Sequence, residues 1–238
     1  MTARVCSGPG VEQKIEELLD EVSRIRVPGA LNLYHEGDST DWGDRPGQAT
    51  DRRHALRHYL VTHWAAPTVL VGEAPGKDGA RWTGVPFSSV RQLTGSGRSE
   101  PTATIMHRVL SELDCAHRVL LWNTSMLFAP GNRNPRPSEV EACAHVLELV
   151  CRGRAVFAVG RFAQSATDAP YIRHPSHGGA GRFAEGLRLA LHSPASVDVR
   201  RALDRLDGPP PKRPARSARR ARVGADDDRR PAPFTLQS

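Results

Sequence analysis

The 238-residue sequence predicts an α/β protein, and more specifically a three-layer α/β/α sandwich around a central, mainly parallel four-stranded sheet. Short apolar runs of strand length alternate with stretches whose apolar residues recur at helical spacing. This alternation is typical of right-handed βαβ units, which build parallel sheets. The runs are apolar at consecutive positions, as expected for strands that helices cover on both faces.

The predicted elements begin with an amphipathic helix over residues 11–24, where apolar residues recur at helical spacing. Residues 28–51 are rich in Gly, Asp and Pro and predict irregular structure, after which residues 52–64 regain helical character. The predicted strands are residues 69–71, 119–122, 155–159 and 171–172. The predicted helices between them are residues 103–113, 138–152, 162–167 and 182–191. In the second of these helices, Ser138 is the predicted N-cap and Glu141 stands at the capping-box position.

Length and composition indicate one globular unit with flanking segments. We expect an N-terminal helix in residues 1–29, an α/β domain in residues 30–200 and a disordered basic tail in residues 208–238, which lacks apolar periodicity. No apolar run approaches the roughly 18 residues of a membrane span, and residues 1–9 lack the pattern of a secretory signal. The four cysteines form no Cys-x-x-Cys pair, so reduced thiols are expected. We therefore expect a cytoplasmic monomer without membrane attachment.

Net charge is concentrated at the C-terminal end of the chain. From Arg200 onward, 11 Lys and Arg face 5 Asp and Glu, so this end carries +6 of the net +7. The preceding 199 residues hold 22 basic and 21 acidic side chains. A basic end on a near-neutral domain favours nonspecific attraction to phosphates, and any specific recognition must come from the fold. A solvated tail without a partner accounts for the charge equally well.

Polar side chains stand where several of the predicted strands end. Glu73 follows the first strand within a Gly-Glu-Ala-Pro-Gly segment, Asn123 ends the second, and His174 follows the fourth in a His-Pro-Ser segment. A Gly-Val-Pro-Phe segment that ends at Phe87 comes a dozen residues after the first. Ligands of open parallel sheets bind at the carboxyl ends of the strands. We therefore expect Glu73, Asn123 and His174 to line one pocket.

Together with a Pro-Gly-Asn-Arg-Asn-Pro segment at residues 130–135, these segments resemble the uracil-DNA glycosylase superfamily. The resemblance covers most of residues 30–195 and is nearest to the branch whose first motif reads Gly-Glu-Ala-Pro-Gly. It implies an enzyme that hydrolyses the N-glycosidic bond of uracil, or of another deaminated base, in DNA and leaves an abasic site. Because a base inside a duplex is out of reach, such an enzyme rotates it out into a pocket.

The resemblance also implies a role for each motif residue. Phe87 offers a face for stacking on the base, and the Asn123 amide matches the N3–H and O4 edge of uracil. His174 donates to uracil O2, where negative charge collects as the bond breaks, and Glu73 orients the attacking water. The further substrate-binding residues are Gly72, Ala74, Pro75 and Gly76, where small residues let the backbone approach the nucleotide. The DNA-binding residues are Lys77, Arg81, Arg133, Ser176, His177, Gly178 and Arg182.

The sequence departs from the family pattern at three points. Ala74 stands where the best-known members have Asp, so Glu73 is the residue expected to activate the water. The loop after His174 carries glycines in place of the large apolar wedge that presses into the minor groove. Members of the branch hold an iron–sulfur cluster on four cysteines, whereas here Cys143 matches one ligand position and Leu127 stands at its partner position. We therefore expect no metal and no cofactor, with apolar packing around Leu127 in place of the cluster.

Two functions of other kinds stay open. One is a noncatalytic member of the same fold that recognises uracil or a DNA end without cutting. The other is an unrelated nucleotide-binding α/β protein that acts on small molecules. Taken singly, each of the motif side chains fits an ordinary structural role at a strand end or in a loop. Their joint order along the chain favours the glycosylase.

Overall fold

The computed structural model of the chain describes residues 9–41, 44–192 and 197–208. Its helices are α1 (Pro9–Arg24), α2 (Glu36–Asp41), α3 (Gln48–His63), α4 (Ala80–Thr83), α5 (Val90–Thr94), α6 (Pro101–Glu112), α7 (Pro137–Ala142), α8 (Ala144–Cys151), α9 (Arg161–Thr167), α10 (Ala180–His192) and α11 (Val197–Asp207). Its strands are β1 (Leu31–Asn32), β2 (Thr68–Gly72), β3 (Val119–Asn123), β4 (Leu127–Phe128), β5 (Ala155–Val159) and β6 (Tyr171–Ile172). Short 3-10 turns occupy Ala116–Arg118 and Pro130–Asn132. The tail predicted to be disordered, residues 208–238, lies outside the described residues apart from Gly208.

Four strands form the central sheet in the spatial order β3-β2-β5-β6, and every neighbouring pair is parallel. The predicted α/β fold with a four-stranded sheet is confirmed, and this sheet is parallel throughout. In its register, Gly72 pairs with Asn123 and Val159 with Ile172. A separate antiparallel pair joins β1 to β4. The edge at which the four parallel strands end, here called the carboxyl edge, therefore brings together residues that are distant in sequence.

Apolar side chains cover both faces of the central sheet. Along β3, Leu120 and Trp122 lie in one core, which α1, α3 and α8 complete. Val119 and Leu121 lie in a second core, formed with α6, α10 and α11. All five residues of β3 are buried, in keeping with a strand covered on both sides. The layers are those of the predicted sandwich.

Two regions are more regular than the sequence pattern predicts. Within residues 28–51, predicted to be irregular, the chain forms β1 and α2, and α3 begins before the segment ends. No helix was predicted for α11, because its apolar positions stand among charged ones. Val199 and Leu203 are nevertheless buried in the second core. Among the described residues, no helix has the length and apolar character needed to cross a membrane.

The helix predicted to be capped by Ser138 begins earlier. α7 starts at Pro137, with Arg136 as its N-cap and Glu139 at the third helical position. The Glu139 carboxylate accepts the Arg136 N–H at 2.9 Å, so the predicted capping roles of Ser138 and Glu141 are wrong. Proline at the first helical position has a suitable φ and lacks only an N–H that no helical bond needs. This preference places the helix start at Pro137.

Candidate functional site

A cavity of about 640 Å³ opens at the carboxyl edge of the sheet. The structure brings together four side chains that the sequence singled out, because Glu73, Phe87, Asn123 and His174 all line this cavity. The other predicted residues on its wall are Ala74, Pro75, Gly76, Arg133, Ser176 and His177. Its volume lies in the range of small-molecule sites, which is large enough for a nucleobase.

The ends of β2 and β3 fix Glu73 beside Asn123. The Thr124 N–H donates to Gly72 O at 2.8 Å, and the Ser125 N–H donates to Glu73 O at 3.1 Å. The Thr124 hydroxyl adds a second bond to Glu73 O at 2.6 Å. The strand pairing therefore continues beyond β2, and two hydrogen bonds from the segment after β3 hold the carbonyl of Glu73.

The Asn123 amide belongs to a nearly buried polar residue of the cavity wall. Asn123 is 3 % exposed, and within the described part of the chain its side-chain amide makes no hydrogen bond. The amide is not among the fully enclosed, unpaired polar groups of the described residues, so it is open to the cavity. Its donor and acceptor are thus available to a ligand that enters the cavity.

Gly72 lies directly against the Phe87 ring. A Cβ at position 72 would stand 2.3 Å from Phe87 Cζ and 2.9 Å from Asn123 Oδ1. Carbon atoms in contact are separated by about 3.5–4.0 Å. Only glycine therefore allows the ring and the amide to meet across the end of β2.

Phe87 has a left-handed backbone conformation, with φ 52°, which costs a non-glycine residue about 1–3 kcal/mol. Two hydrogen bonds hold the segment around it. The His107 ring donates from Nε2 to Phe87 O at 2.9 Å, and the Tyr34 hydroxyl donates to Gly84 O at 2.6 Å. Burial lowers the pKa of His107, so the ring is neutral and carries its proton on the nitrogen that faces Phe87 O. The strained backbone presents the aromatic ring to the cavity.

Hydrogen bonds determine which nitrogen of His174 carries the proton. Nδ1 of His174 accepts the Ser176 N–H at 3.3 Å and lies 2.7 Å from Ser176 Oγ. Because a backbone N–H can only donate, Nδ1 is unprotonated and the proton of the neutral ring is on Nε2. Burial first, and then the charges of His177 and Arg173, lower the pKa of His174. The ring is therefore a neutral Nε2–H donor at neutral pH.

Burial has the opposite effect on Glu73, whose carboxyl pKa it raises. No hydrogen bond to the Glu73 carboxylate is found among the residues that the structure describes. A half-buried carboxylate without a donor is poorly stabilised by the protein and can accept from a water molecule or face a cation. The same cavity thus holds an acid with a raised pKa and a base with a lowered one, a combination typical of catalytic sites.

The loop after His174 turns sharply beside the cavity. His177 and Gly178 have φ angles of 53° and 74°. Ser176 Oγ lies 2.7 Å from His174 Nδ1 and 2.8 Å from His177 Nδ1. Hydrogen bonds between polar atoms therefore hold the loop against His174. Residues 176–179 are Ser, His, Gly and Gly, so this part of the loop has no apolar side chain.

Arg81, predicted to contact DNA, does not lie at the mouth of the cavity. Its guanidinium is buried and pairs with the Asp44 carboxylate at 2.8 Å. It also packs against the rings of Trp82 and Phe128, with centroids at 5.1 and 5.4 Å. Its position therefore does not support a contact with phosphate, because the guanidinium is nearly buried and already paired with a carboxylate.

The other predicted cations differ in their availability. Arg133 borders the cavity, but its guanidinium binds the buried Glu139 carboxylate at 2.9 Å. Arg182 lies outside the cavity wall and 3.6 Å from the Asp207 carboxylate. Lys77 borders a smaller neighbouring cavity of about 340 Å³, and it has no carboxylate partner in the described part of the chain. Lys77 is thus the predicted cation best placed to meet a phosphate.

Several polar residues of the cavity wall were not predicted as site residues. They are Ser88, Glu100, Thr102, Asn132 and Asn134. The sequence around Glu100 is that of a helix cap, and its carboxylate does accept the Thr102 and Ala103 N–H groups at 3.1 and 2.8 Å. The Asn132 amide oxygen accepts the Lys77 N–H at 2.9 Å. Asn132 and Asn134 belong to the segment at 130–135 that carries the family resemblance. That segment was the sequence signal that could have placed them at the cavity.

Cys143, which matches a cluster-ligand position, is packed in the first apolar core. Its Sγ accepts the Met126 N–H at 3.4 Å, and burial raises the pKa of the thiol. Leu127, the next residue after Met126, is 2 % exposed, and Cys115 lies in the other core. In residues 9–41, 44–192 and 197–208, no three His, Cys, Asp or Glu side chains are grouped to hold a metal ion. These surroundings do not fit an iron–sulfur cluster.

The fold and the site define an α/β/α protein with a cavity at the carboxyl edge of its sheet that is large enough for a nucleobase. The family profile of the Uracil DNA glycosylase superfamily matches residues 60–213, which is more than half of the chain. The chain therefore belongs to the uracil DNA glycosylase superfamily. The crystal structure of SMUG2 from Pedobacter heparinus is similar, with a TM-score of 0.52 at 13% identity over 76% of this chain and 97% of that one. A comparison with curated proteins gives no match.

Proposed function

We propose that this protein is a DNA glycosylase that hydrolyses the N-glycosidic bond of uracil, or of another deaminated base, and leaves an abasic site for repair. The observation that carries the proposal is the meeting of an aromatic ring, a free amide, a neutral imidazole and an unpaired carboxylate in one cavity. Membership of the superfamily supports DNA as the partner.

The cavity wall supports recognition of uracil. The Phe87 ring stacks on a base turned out of the helix, which helps to offset the few kcal/mol that extrusion costs. The Asn123 amide has one acceptor for uracil N3–H and donors for O4. Cytosine presents the opposite pattern at this edge, so a fixed amide would face unpaired groups. Unpaired buried groups discriminate more strongly than a missing apolar contact does.

The two titratable groups divide the chemistry. As the bond between C1′ of the sugar and N1 of the base breaks, the electron pair stays on the base and charge collects at O2. The Nε2–H of His174 donates to that oxygen. The Glu73 carboxylate stabilises the positive charge that develops on the sugar and orients a water molecule. The water oxygen bonds to C1′, and its proton passes to the carboxylate.

A labelled oligonucleotide with one uracil, treated with alkali after incubation to break abasic sites, tests the proposal. Strand cleavage that disappears in His174→Ala supports the enzyme. Tight retention of the oligonucleotide without cleavage would instead support the noncatalytic binder, and indifference to DNA would support the protein that acts on small molecules. The same assay with hypoxanthine, xanthine and mismatched thymine defines the range of bases.

We expect the chemical step to slow on the acid side at a higher pH than an ordinary glutamate would give. The ionised Glu73 is the active form, and its raised pKa means that it is protonated earlier as the pH falls. The lowered pKa of His174 moves protonation of its ring to lower pH. Single-turnover rates between about pH 4 and pH 9 measure this acid limb. Glu73→Gln should lower the rate and remove most of its fall at low pH. If the rate of this variant still falls in the same way at low pH, the titrating group is not Glu73.

Removing residues 209–238 should weaken DNA binding without slowing the chemical step. These residues hold 8 Lys and Arg against 3 Asp, and each phosphate contact that is lost reduces the slope of log K against log salt by about 0.9. Titrations at several salt concentrations measure that slope, and single-turnover rates at saturating protein should stay nearly constant. A tail of shuffled sequence and equal composition is the matched control. An unchanged salt slope in the truncated protein would show that the tail does not touch DNA.

A further inference from the structure

A base that leaves a duplex opens a gap in the stack, and proteins that open or kink DNA fill such gaps with apolar side chains such as Leu or Phe. In this chain the loop after His174 supplies no such side chain, because residues 176–179 are Ser, His, Gly and Gly. If the protein acts on duplex DNA, as the proposed function allows, another part of its surface must fill the gap.

The segment of residues 89–99 departs from the cavity wall and returns to it. Ser88 before the segment and Glu100 after it both line the cavity. In between, the chain forms α5 and turns back through two glycines in the left-handed region. The Arg91 N–H donates to Arg98 O at 2.8 Å and closes the loop. The segment is therefore a closed loop whose two ends lie at the cavity wall.

Leu93 lies near the middle of this loop in the sequence. It is 55 % exposed, and among the described residues it is the one large apolar side chain that is exposed. A single exposed leucine is ordinary in itself, but Leu93 also stands close to the cavity in the sequence. Leu93 is five residues from Ser88, which limits the separation of their Cα atoms to about 18 Å, and to less because α5 is helical.

Two arginines stand on either side of the leucine in the sequence of this loop. Arg91 is exposed and has no carboxylate partner within the described residues. Arg98 is exposed, stacks on the Trp82 ring at 4.5 Å and lies 3.6 Å from the Asp78 carboxylate. An exposed leucine that shares one closed loop with two exposed cations suits the surface of a nucleic acid, where apolar base faces lie between lines of phosphate.

We infer that Leu93 enters the DNA base stack at the place that the extruded base has left. The inference rests on the proposed function and adds duplex DNA to its substrates. Leu93 thus determines whether the protein can act on duplex DNA. There, the neighbouring base stack and the complementary strand must be held apart while the base is outside the helix. On single-stranded DNA Leu93 has no gap to fill.

Single-turnover excision of uracil by the full chain, from one oligonucleotide used single-stranded and annealed opposite adenine, tests this inference. In Leu93→Ala, the rate on the duplex should fall by about 10- to 50-fold, as expected from the apolar burial that is lost. The rate on the single strand should stay within about twofold of the native rate, since no stack is invaded. Leu93→Met should retain most of the duplex rate, and Ser99→Ala, an exposed change in the same segment, should behave as the native protein.

The outcomes separate the inference from the function on which it rests. The role of Leu93 would be overturned if the native protein cut both substrates and Leu93→Ala cut the duplex at the native rate. It would also be overturned if the native protein cut only the single strand. A loss of equal size on both substrates would also overturn it, because a merely structural change does not distinguish them. No excision from either substrate by the native protein would overturn the proposed glycosylase activity itself.

Discussion

Replacing His174 by alanine is expected to lower the single-turnover rate of uracil excision by about 10²- to 10³-fold, the usual effect of removing one preorganised donor. The reason is the fixed proton on Nε2. The Ser176 N–H occupies Nδ1 at 3.3 Å, so the ring meets the departing base as a donor without any rearrangement. Excision from a uracil oligonucleotide at saturating protein gives the rate directly.

Two controls distinguish loss of the donor from loss of structure. His54→Ala removes an exposed imidazole from α3 and should leave both the rate and the thermal unfolding midpoint unchanged. With 5-fluorouracil in place of uracil, the ring fluorine already stabilises the negative charge on the base, so His174→Ala should lose less activity than on uracil. An equal loss on both bases would show that His174 does not act on the leaving group.

The part of the site that could be predicted from sequence is the part fixed by strand direction. Glu73, Asn123 and His174 each follow a short apolar run, and right-handed βαβ connections make such runs parallel. Parallel strands end at one edge of the sheet, so strand direction alone predicts that these side chains lie close together. The same reasoning located the sheet, because a strand buried on both faces has a distinctive apolar run.

The parts that could not be predicted depend on partners distant in sequence. Arg81 looks like a surface cation in its local sequence, and its burial is decided by Asp44, 37 residues earlier. The left-handed backbone of Phe87 depends on a hydrogen bond from His107, 20 residues later. α11 was missed for a related reason, because only packing against the second core distinguishes its few apolar positions from those of a charged linker.

Gly72→Ala is expected to lower the rate of excision by about 10²-fold, although it adds one methyl group. The new Cβ would stand 2.3 Å from Phe87 Cζ, so the ring must move by more than about 1 Å to restore a normal contact. A misplacement of about 1 Å in a catalytic site can cost about 10²-fold. The φ angle of Gly72 lies outside the left-handed region, so an alanine there has no backbone strain to add. The single-turnover rate measures the effect, and thermal unfolding measures any accompanying loss of stability.

A comparison in the Phe87→Ala background assigns the loss to the ring. If the methyl group acts by displacing that ring, Gly72→Ala should cost much less once the ring is absent, and the two substitutions will be non-additive. Gly181→Ala is the matched control, because its Cβ would meet no atom within 4 Å. A native rate in Gly72→Ala, or a loss of the same size with and without the ring, would contradict the close packing of Gly72 and Phe87 as a requirement for activity. In that case, if Phe87 stacks on the base, its ring does so from a position other than the one beside Gly72.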